Sequence, residues 1–135
     1  MNNYFIILAS GQSKRFNSKK SKQFIIYKNK PLFKHSIEKA IKSKIFKEII
    51  VVTNSKIKKK EDKSIKVIKG GSERFESSKK ALEYIKNKKF KNVYIHDAAR
   101  PNFSIKLLKR LKKELNKYKA VVPYINTDHS VKYKD

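Results

Sequence analysis

Three short segments hold the residues whose types and spacing could do chemistry. The first is Leu8-Ala9-Ser10-Gly11-Gln12-Ser13-Lys14-Arg15-Phe16, with Ser21-Lys22-Gln23-Phe24 behind it. Small residues leaving an apolar run let main-chain N–H groups approach an anion closely, and Arg15 and Lys22 can bring two positive charges to the same pocket. An ordinary turn with solvated cations would carry the same residues. A P-loop is excluded, because no Gly-Lys-Ser/Thr opens a helix here, and so is the dinucleotide fingerprint with its three spaced glycines.

The second segment is Gly70-Gly71-Ser72-Glu73-Arg74-Phe75-Glu76-Ser77-Ser78. Paired glycines after a strand allow close backbone approach to a flat base or a phosphate, and Ser77 or Ser78 can cap the next helix or touch ligand. The third is His96-Asp97-Ala98-Ala99-Arg100-Pro101. An acid at the end of a buried strand can hold Mg²⁺ on a nucleotide, since Mg²⁺ prefers one or two carboxylates plus phosphate oxygens. A helix cap or a surface pair with Arg100 is the plainer alternative. All three glycines of the chain and three of its four arginines fall in these segments, which is why they outweigh the rest.

The elements that must position them follow from apolar patterning. Residues 4–9 form a continuous apolar run, the mark of a strand buried on both faces; 48–53 reads as a second buried strand, and 65–68, 92–96 and 120–125 as further strands. Between them lie helical spacings. Pro31 opens one with Leu32, Phe33, Ile37, Ala40 and Ile41; Phe75, Ser78, Leu82 and Ile85 mark a second. Ser104 caps a third that carries Leu108, Leu111, Leu115 and Tyr118. The lysine-rich stretch 55–64 fits either a frayed helix or a loop. Alternating strands and helices imply an α/β, doubly wound, mostly parallel sheet in order 3-2-1-4-5 or an extension of it, with ligand at the carboxyl ends of the strands.

Composition narrows the class further. A chain of 135 residues, 39% apolar, makes one domain spanning residues 1–135. It has no cysteine, which removes disulfides, thiolate metal sites and cysteine nucleophiles. No apolar run approaches the roughly 20 residues of a membrane span, and no basic leader precedes the first strand, so the expected location is the cytoplasm. The 36 Lys+Arg against 11 Asp+Glu leave +25, but 32 of the 36 are lysines spread along the whole chain. With neither a docking helix nor an aromatic platform in view, the charge argues for attraction of a small phosphorylated substrate and against nucleic acid. His35, His96 and His129 lack acidic partners at useful spacing and read as structural. The tail beyond residue 125 supplies no element to cover the last strand, so the expected fold is C-terminally incomplete.

Taken together, the segments resemble the 2-C-methyl-D-erythritol 4-phosphate cytidylyltransferases of non-mevalonate isoprenoid biosynthesis. Ala9-Ser10-Gly11-x-x-x-Arg15 and Lys22-Gln23-Phe24 look like that family's Ala-Ala-Gly-x-Gly-x-Arg-Met and Pro-Lys-Gln-Tyr, and Lys30-Pro31-Leu32 with His35-Ser36 looks like its Gly-Lys-Pro-Ile-Leu and His-Ser/Thr. Gly70-Gly71-x-x-Arg74-x-x-Ser77 and the unaltered His96-Asp97-Ala98-Ala99-Arg100-Pro101 complete the match. The resemblance implies a Rossmann-like domain of the nucleotide-diphospho-sugar transferase type that joins CTP and the sugar-alcohol phosphate, releasing pyrophosphate, with Mg²⁺ as cofactor. It implies Arg15 and Lys22 as the catalytic basic pair and Asp97 as the metal-linked carboxylate. Nucleotide binding would fall to Ala9, Ser10, Gly11, Gly71, Ser77 and Arg100, and sugar-phosphate contact to Ser130. A homodimer is expected of the family, although its dimer-forming arm lies in the portion this chain does not match. Ser13, Phe16, Ser21 and Ser72 depart from the family pattern. A cytidylyltransferase for another alditol phosphate, such as ribitol 5-phosphate, and an inactive nucleotide-binding or nucleic-acid-binding fragment are the alternatives.

Overall fold

Strand β1 (Asn3–Leu8) is buried along its whole length, and its two faces supply two separate cores. Phe5 and Ile7 pack with Ile49, Val51 and Tyr94 beneath two helices, while Tyr4, Ile6 and Leu8 pack with Ile50 and Val52 beneath a third. That period-two division is what a central parallel strand covered on both sides requires. Ile6, Ile7, Ile50 and Val51 are wholly withdrawn from solvent, each contributing about 1.5–3 kcal/mol.

This computed structural model describes residues 2–11, 21–57 and 62–126. After β1 come a 3₁₀ turn (Lys22–Phe24), the short strands β2 (Ile26–Tyr27) and β3 (Lys30–Pro31), helix α1 (Leu32–Ser43), and strands β4 (Glu48–Val52) and β5 (Ile65–Ile68). Helix α2 (Arg74–Ile85), strand β6 (Asn92–Asp97) and helix α3 (Ile105–Glu114) follow. The main sheet has order β5-β4-β1-β6 and every neighbouring pair is parallel. Helices α1 and α3 cover one face and α2 the other. Ser104 caps α3 as expected, its hydroxyl accepting the Leu107 N–H at 3.0 Å.

Four expectations need correction. Residues 120–125 form no strand: Val122, Tyr124 and Ile125 are 80–90% exposed. The described sheet is therefore 3-2-1-4 among its long strands, without the fifth, because an apolar run becomes a strand only where a neighbouring edge accepts its hydrogen bonds. Helix α3 stops at Glu114 and leaves Tyr118 exposed. The buried face of α2 is Ser77, Ala81 and Ile85, so Phe75 and Leu82 point outward. Neither Ser77 nor Ser78 caps that helix; both lie inside it, and the capping box is Glu73 with Glu76. A small antiparallel ribbon, β2-β3, turns through Lys28 and Asn29, both at positive φ. Without an Asn-Gly or Asp-Gly pair it carried little local signal.

Candidate active site

The order of the sheet reverses between β1 and β6, and in open α/β sheets such a reversal opens a crevice at the carboxyl ends of the strands. All three chemistry-bearing segments leave the sheet at that end. Ser10 and Gly11 follow β1, Gly70 and Gly71 follow β5, and Asp97 closes β6.

Side chains then tie the loops to one another. Ser10 Oγ and Ser77 Oγ lie 2.6 Å apart, across 67 residues, and Ser77 Oγ also accepts the Gly71 N–H at 3.0 Å. This close seam needs Gly70 to lack a side chain. A Cβ there would stand 2.5 Å from Ser10 Cβ and 2.9 Å from Ser77 Oγ. Gln23, buried behind the first loop, donates its amide to the carbonyls of Ala9 (3.0 Å) and Gly11 (2.9 Å), which turns those peptides toward the protein and fixes the loop. Glu76 organises the second loop through Oε2, which accepts from the Ser72 N–H and hydroxyl at 2.7 Å each and from the Glu73 N–H at 3.2 Å. The Ser72 hydroxyl bond leads in holding its carboxyl below the usual glutamate range. Arg74, the first residue of α2, reaches across to β6, with Nε and Nη2 each 3.0 Å from Asp97 Oδ1. Arg100 Nε stands 3.6 Å from Asp97 Oδ2.

The result is a cleft of about 470 Å³ whose walls include Ser10, Gly11, Lys22, Arg74, Asp97 and Arg100, within the range of small-molecule sites. Glu73 also borders it. Three cations, Lys22, Arg74 and Arg100, face two carboxylates, Glu73 and Asp97, and cations gathered at one pocket suit a polyphosphate. A second, more open and mostly apolar hollow runs along the outer flank of α2 near Phe75, Leu82 and Phe90, away from the strand ends where the three segments meet.

Behind the cleft, His96 Nε2 meets Ser36 Oγ at 3.1 Å, and its ring packs against Phe5 and Phe103. Burial pushes its pKa down to about 4. A neutral imidazole there braces β6 against α1.

The sequence-predicted site residues are therefore distributed as follows. Lys22, Ser10, Gly11, Asp97 and Arg100 share the cleft. Ala9 stands behind it, its N–H donated to the Val52 carbonyl and its own carbonyl held by Gln23. Gly71 and Ser77 form the seam beside it; the Gly71 carbonyl accepts from Asn54 Nδ2, and Ser77 is fully buried. Arg15 and Ser130 lie outside the described residues, as do Ser13, Phe16 and His129. Two contributors had no assigned role. Gln23 was visible only as the neighbour of Lys22, and Arg74 only as a letter in the Gly-Gly-x-x-Arg-x-x-Ser run.

Residues 4–135 match the family model of IspD, 2-C-methyl-D-erythritol 4-phosphate cytidylyltransferase. The chain belongs to this family. A relative from Pelagibacter ubique named bifunctional enzyme IspD/IspF is 52% identical over 138 residues, covering 99% of this chain and 37% of its own. A 2-C-methyl-D-erythritol 4-phosphate cytidylyltransferase of Thermosipho melanesiensis is 34% identical, covering 97% of this chain and 62% of its own. Among solved structures, the bifunctional IspDF of Campylobacter jejuni superposes with a TM-score of 0.74 at 38% identity, over 87% of this chain and 31% of that one. The chain thus spans between about a third and three fifths of the length of these IspD relatives.

Proposed function

We propose that this chain forms the CTP-binding part of a cytidylyltransferase that joins CTP and 2-C-methyl-D-erythritol 4-phosphate into 4-CDP-2-C-methyl-D-erythritol, releasing pyrophosphate. The observation that carries the reading is the convergence of three sequence-distant loops, bonded to one another, on one cationic cleft at the sheet's switch point. Family membership supplies the substrates. In our reading the reaction is cytoplasmic, since phosphorylated substrates cross bilayers poorly and stay where they are made; among the described residues no helix is long and apolar enough to cross a membrane.

The chemistry asked of the protein is positioning and charge stabilisation. The acceptor phosphate oxygen attacks the α-phosphorus of CTP, the bond to the β-phosphate oxygen breaks, and negative charge grows on the equatorial oxygens. In our reading Lys22, on the rim of the cleft, neutralises that charge, and Arg15 joins it. Ser10 and Gly11 receive the nucleotide, Arg100 stands beside it, and Ser77 acts by holding Ser10 and the Gly71 N–H in place. Ser130 is assigned to the acceptor's phosphate.

A divalent ion, Mg²⁺ in our reading, fits the donor chemistry of Asp97, a hard carboxylate oxygen facing the phosphate cleft. No group of three His, Cys, Asp or Glu among the described residues could hold a metal. Asp97 would therefore hold the ion together with phosphate oxygens and water. When bound, the ion adds positive charge against the triphosphate.

Pyrophosphate release tests the proposal, with the two phosphates offered separately as acceptors. Release with methylerythritol phosphate and none with ribitol 5-phosphate supports it; the reverse preference assigns a different acceptor. Asp97→Asn is expected to abolish the dependence of CTP binding on divalent metal. Steeply salt-dependent affinity for duplex DNA with no CTP preference would overturn the enzyme reading in favour of a nucleic-acid-binding fragment.

A further inference from the structure

The carboxylate of the cleft is already engaged by cations of the protein. Arg74 places two nitrogens 3.0 Å from the same Asp97 oxygen, and Arg100 approaches the other oxygen less closely, at 3.6 Å. This contact is not a folding device. The Arg74 side chain is 66% exposed and that of Asp97 35%, and ion pairs in such settings add little to stability. What the contact does is span the cleft, from the first turn of α2 to the end of β6. A metal ion bound at Asp97 competes with Arg74 for the charge of that carboxylate and repels the guanidinium at close range. Once displaced, that guanidinium has five donors, no acceptor and a planar fork suited to phosphate, and it stands at the mouth of a pocket proposed to hold a triphosphate.

We propose that Arg74 is a placeholder cation: it holds Asp97 before ligand arrives, yields the carboxylate to the metal-nucleotide, and then pairs with the nucleotide's phosphate oxygens. This rests on the cytidylyltransferase reading and adds to it a phosphate-contacting residue. One residue is thereby both a competitor of the metal and a partner of the nucleotide. The two roles have opposite consequences when it is removed.

The test uses the 135-residue chain, with Mn²⁺ alone followed by electron paramagnetic resonance and Mn²⁺–CTP followed by titration calorimetry. Arg74→Ala is expected to bind Mn²⁺ alone about two- to fivefold more tightly, the worth of an exposed ion pair. The same variant is expected to bind Mn²⁺–CTP about 10- to 100-fold more weakly, the worth of a charge-assisted phosphate contact. Arg74→Lys, keeping charge without the fork, should fall between wild type and Arg74→Ala in CTP affinity. If Arg74→Ala moves both affinities in the same direction, or neither, the placeholder role is wrong while the cytidylyltransferase reading stands. If the wild-type chain itself binds no Mn²⁺–CTP, the underlying reading fails and this inference fails with it.

Discussion

Replacing Gly70 by alanine probes the seam between the first two loops. Gly70 is buried and its φ is not positive, so any cost comes from the new methyl group and not from backbone conformation. That methyl would stand 2.5 Å from Ser10 Cβ, 2.7 Å from Ser10 Oγ and 2.9 Å from Ser77 Oγ. A hydroxyl can rotate away, but Ser10 Cβ is fixed to the main chain, so the end of β1 must move. Overpacking of this kind costs about 1–3 kcal/mol. With an m value of about 2 kcal/mol/M, a loss of 2 kcal/mol lowers the urea midpoint by about 1 M. Ser10→Gly alone deletes the hydrogen bond to Ser77 and should cost about 1 kcal/mol. The double variant removes the obstructing Cβ as well, so its loss should fall short of the sum of the singles by about 1 kcal/mol or more. CTP affinity, measured by calorimetry, should weaken in Gly70→Ala and recover in part in the double variant. Additivity within about 0.5 kcal/mol would falsify the claim that Gly70 is required by the closeness of Ser10.

Three further outcomes are expected. Lys22→Ala should lower turnover by about 100-fold with little change in CTP affinity, because its charge is assigned to the transition state; steady-state kinetics showing only a raised KM would contradict that role. Tyr94→Phe should leave stability unchanged or raise it by up to about 1 kcal/mol in urea unfolding, since among the described residues the buried Tyr94 hydroxyl has no hydrogen-bond partner and its removal leaves nothing newly unsatisfied; a loss above 1 kcal/mol would reveal a partner. His96 titrates at about 4 when folded, from burial, against about 6.5 unfolded. The unfolded chain therefore binds the extra proton first, and stability that is complete above pH 6.5 should decline toward pH 4 by up to about 3 kcal/mol. In metal-free buffer His96→Gln should flatten that decline, and an equal slope in both proteins would assign it to other groups.

Local signals were enough for much of the fold and for several of the residues that line the cleft. The core of β1 was legible because an unbroken apolar run declares a strand buried on both faces, and Ile65–Ile68 because three apolar residues with β-branched side chains stand just before a Gly-Gly pair. Asp97 and Arg100 were legible because an acid and one of only four arginines stood at the end of the run at 92–96, and Lys22 through the Lys22-Gln23-Phe24 motif. The run at 120–125 misled, since a strand depends on an edge to pair with and that edge is not encoded in the run itself. The face of α2 was read a position away from its buried side for a similar reason: Phe75 and Leu82 keep helical spacing, but the fit of Ser77 and Ala81 against β1 sets the rotation of the helix.

By itself, the amino-acid sequence determined the alternation of elements, the parallel sheet and the three segments that meet at its carboxyl ends. Only the tertiary structure decided how those segments grip one another. Ser10 meets Ser77 across 67 residues, Arg74 meets Asp97 across 23, and Gln23 holds the carbonyls of Ala9 and Gly11, 14 and 12 residues before it. Such contacts depend on strand order and register, which emerge when the whole sheet closes and not from any one stretch of chain.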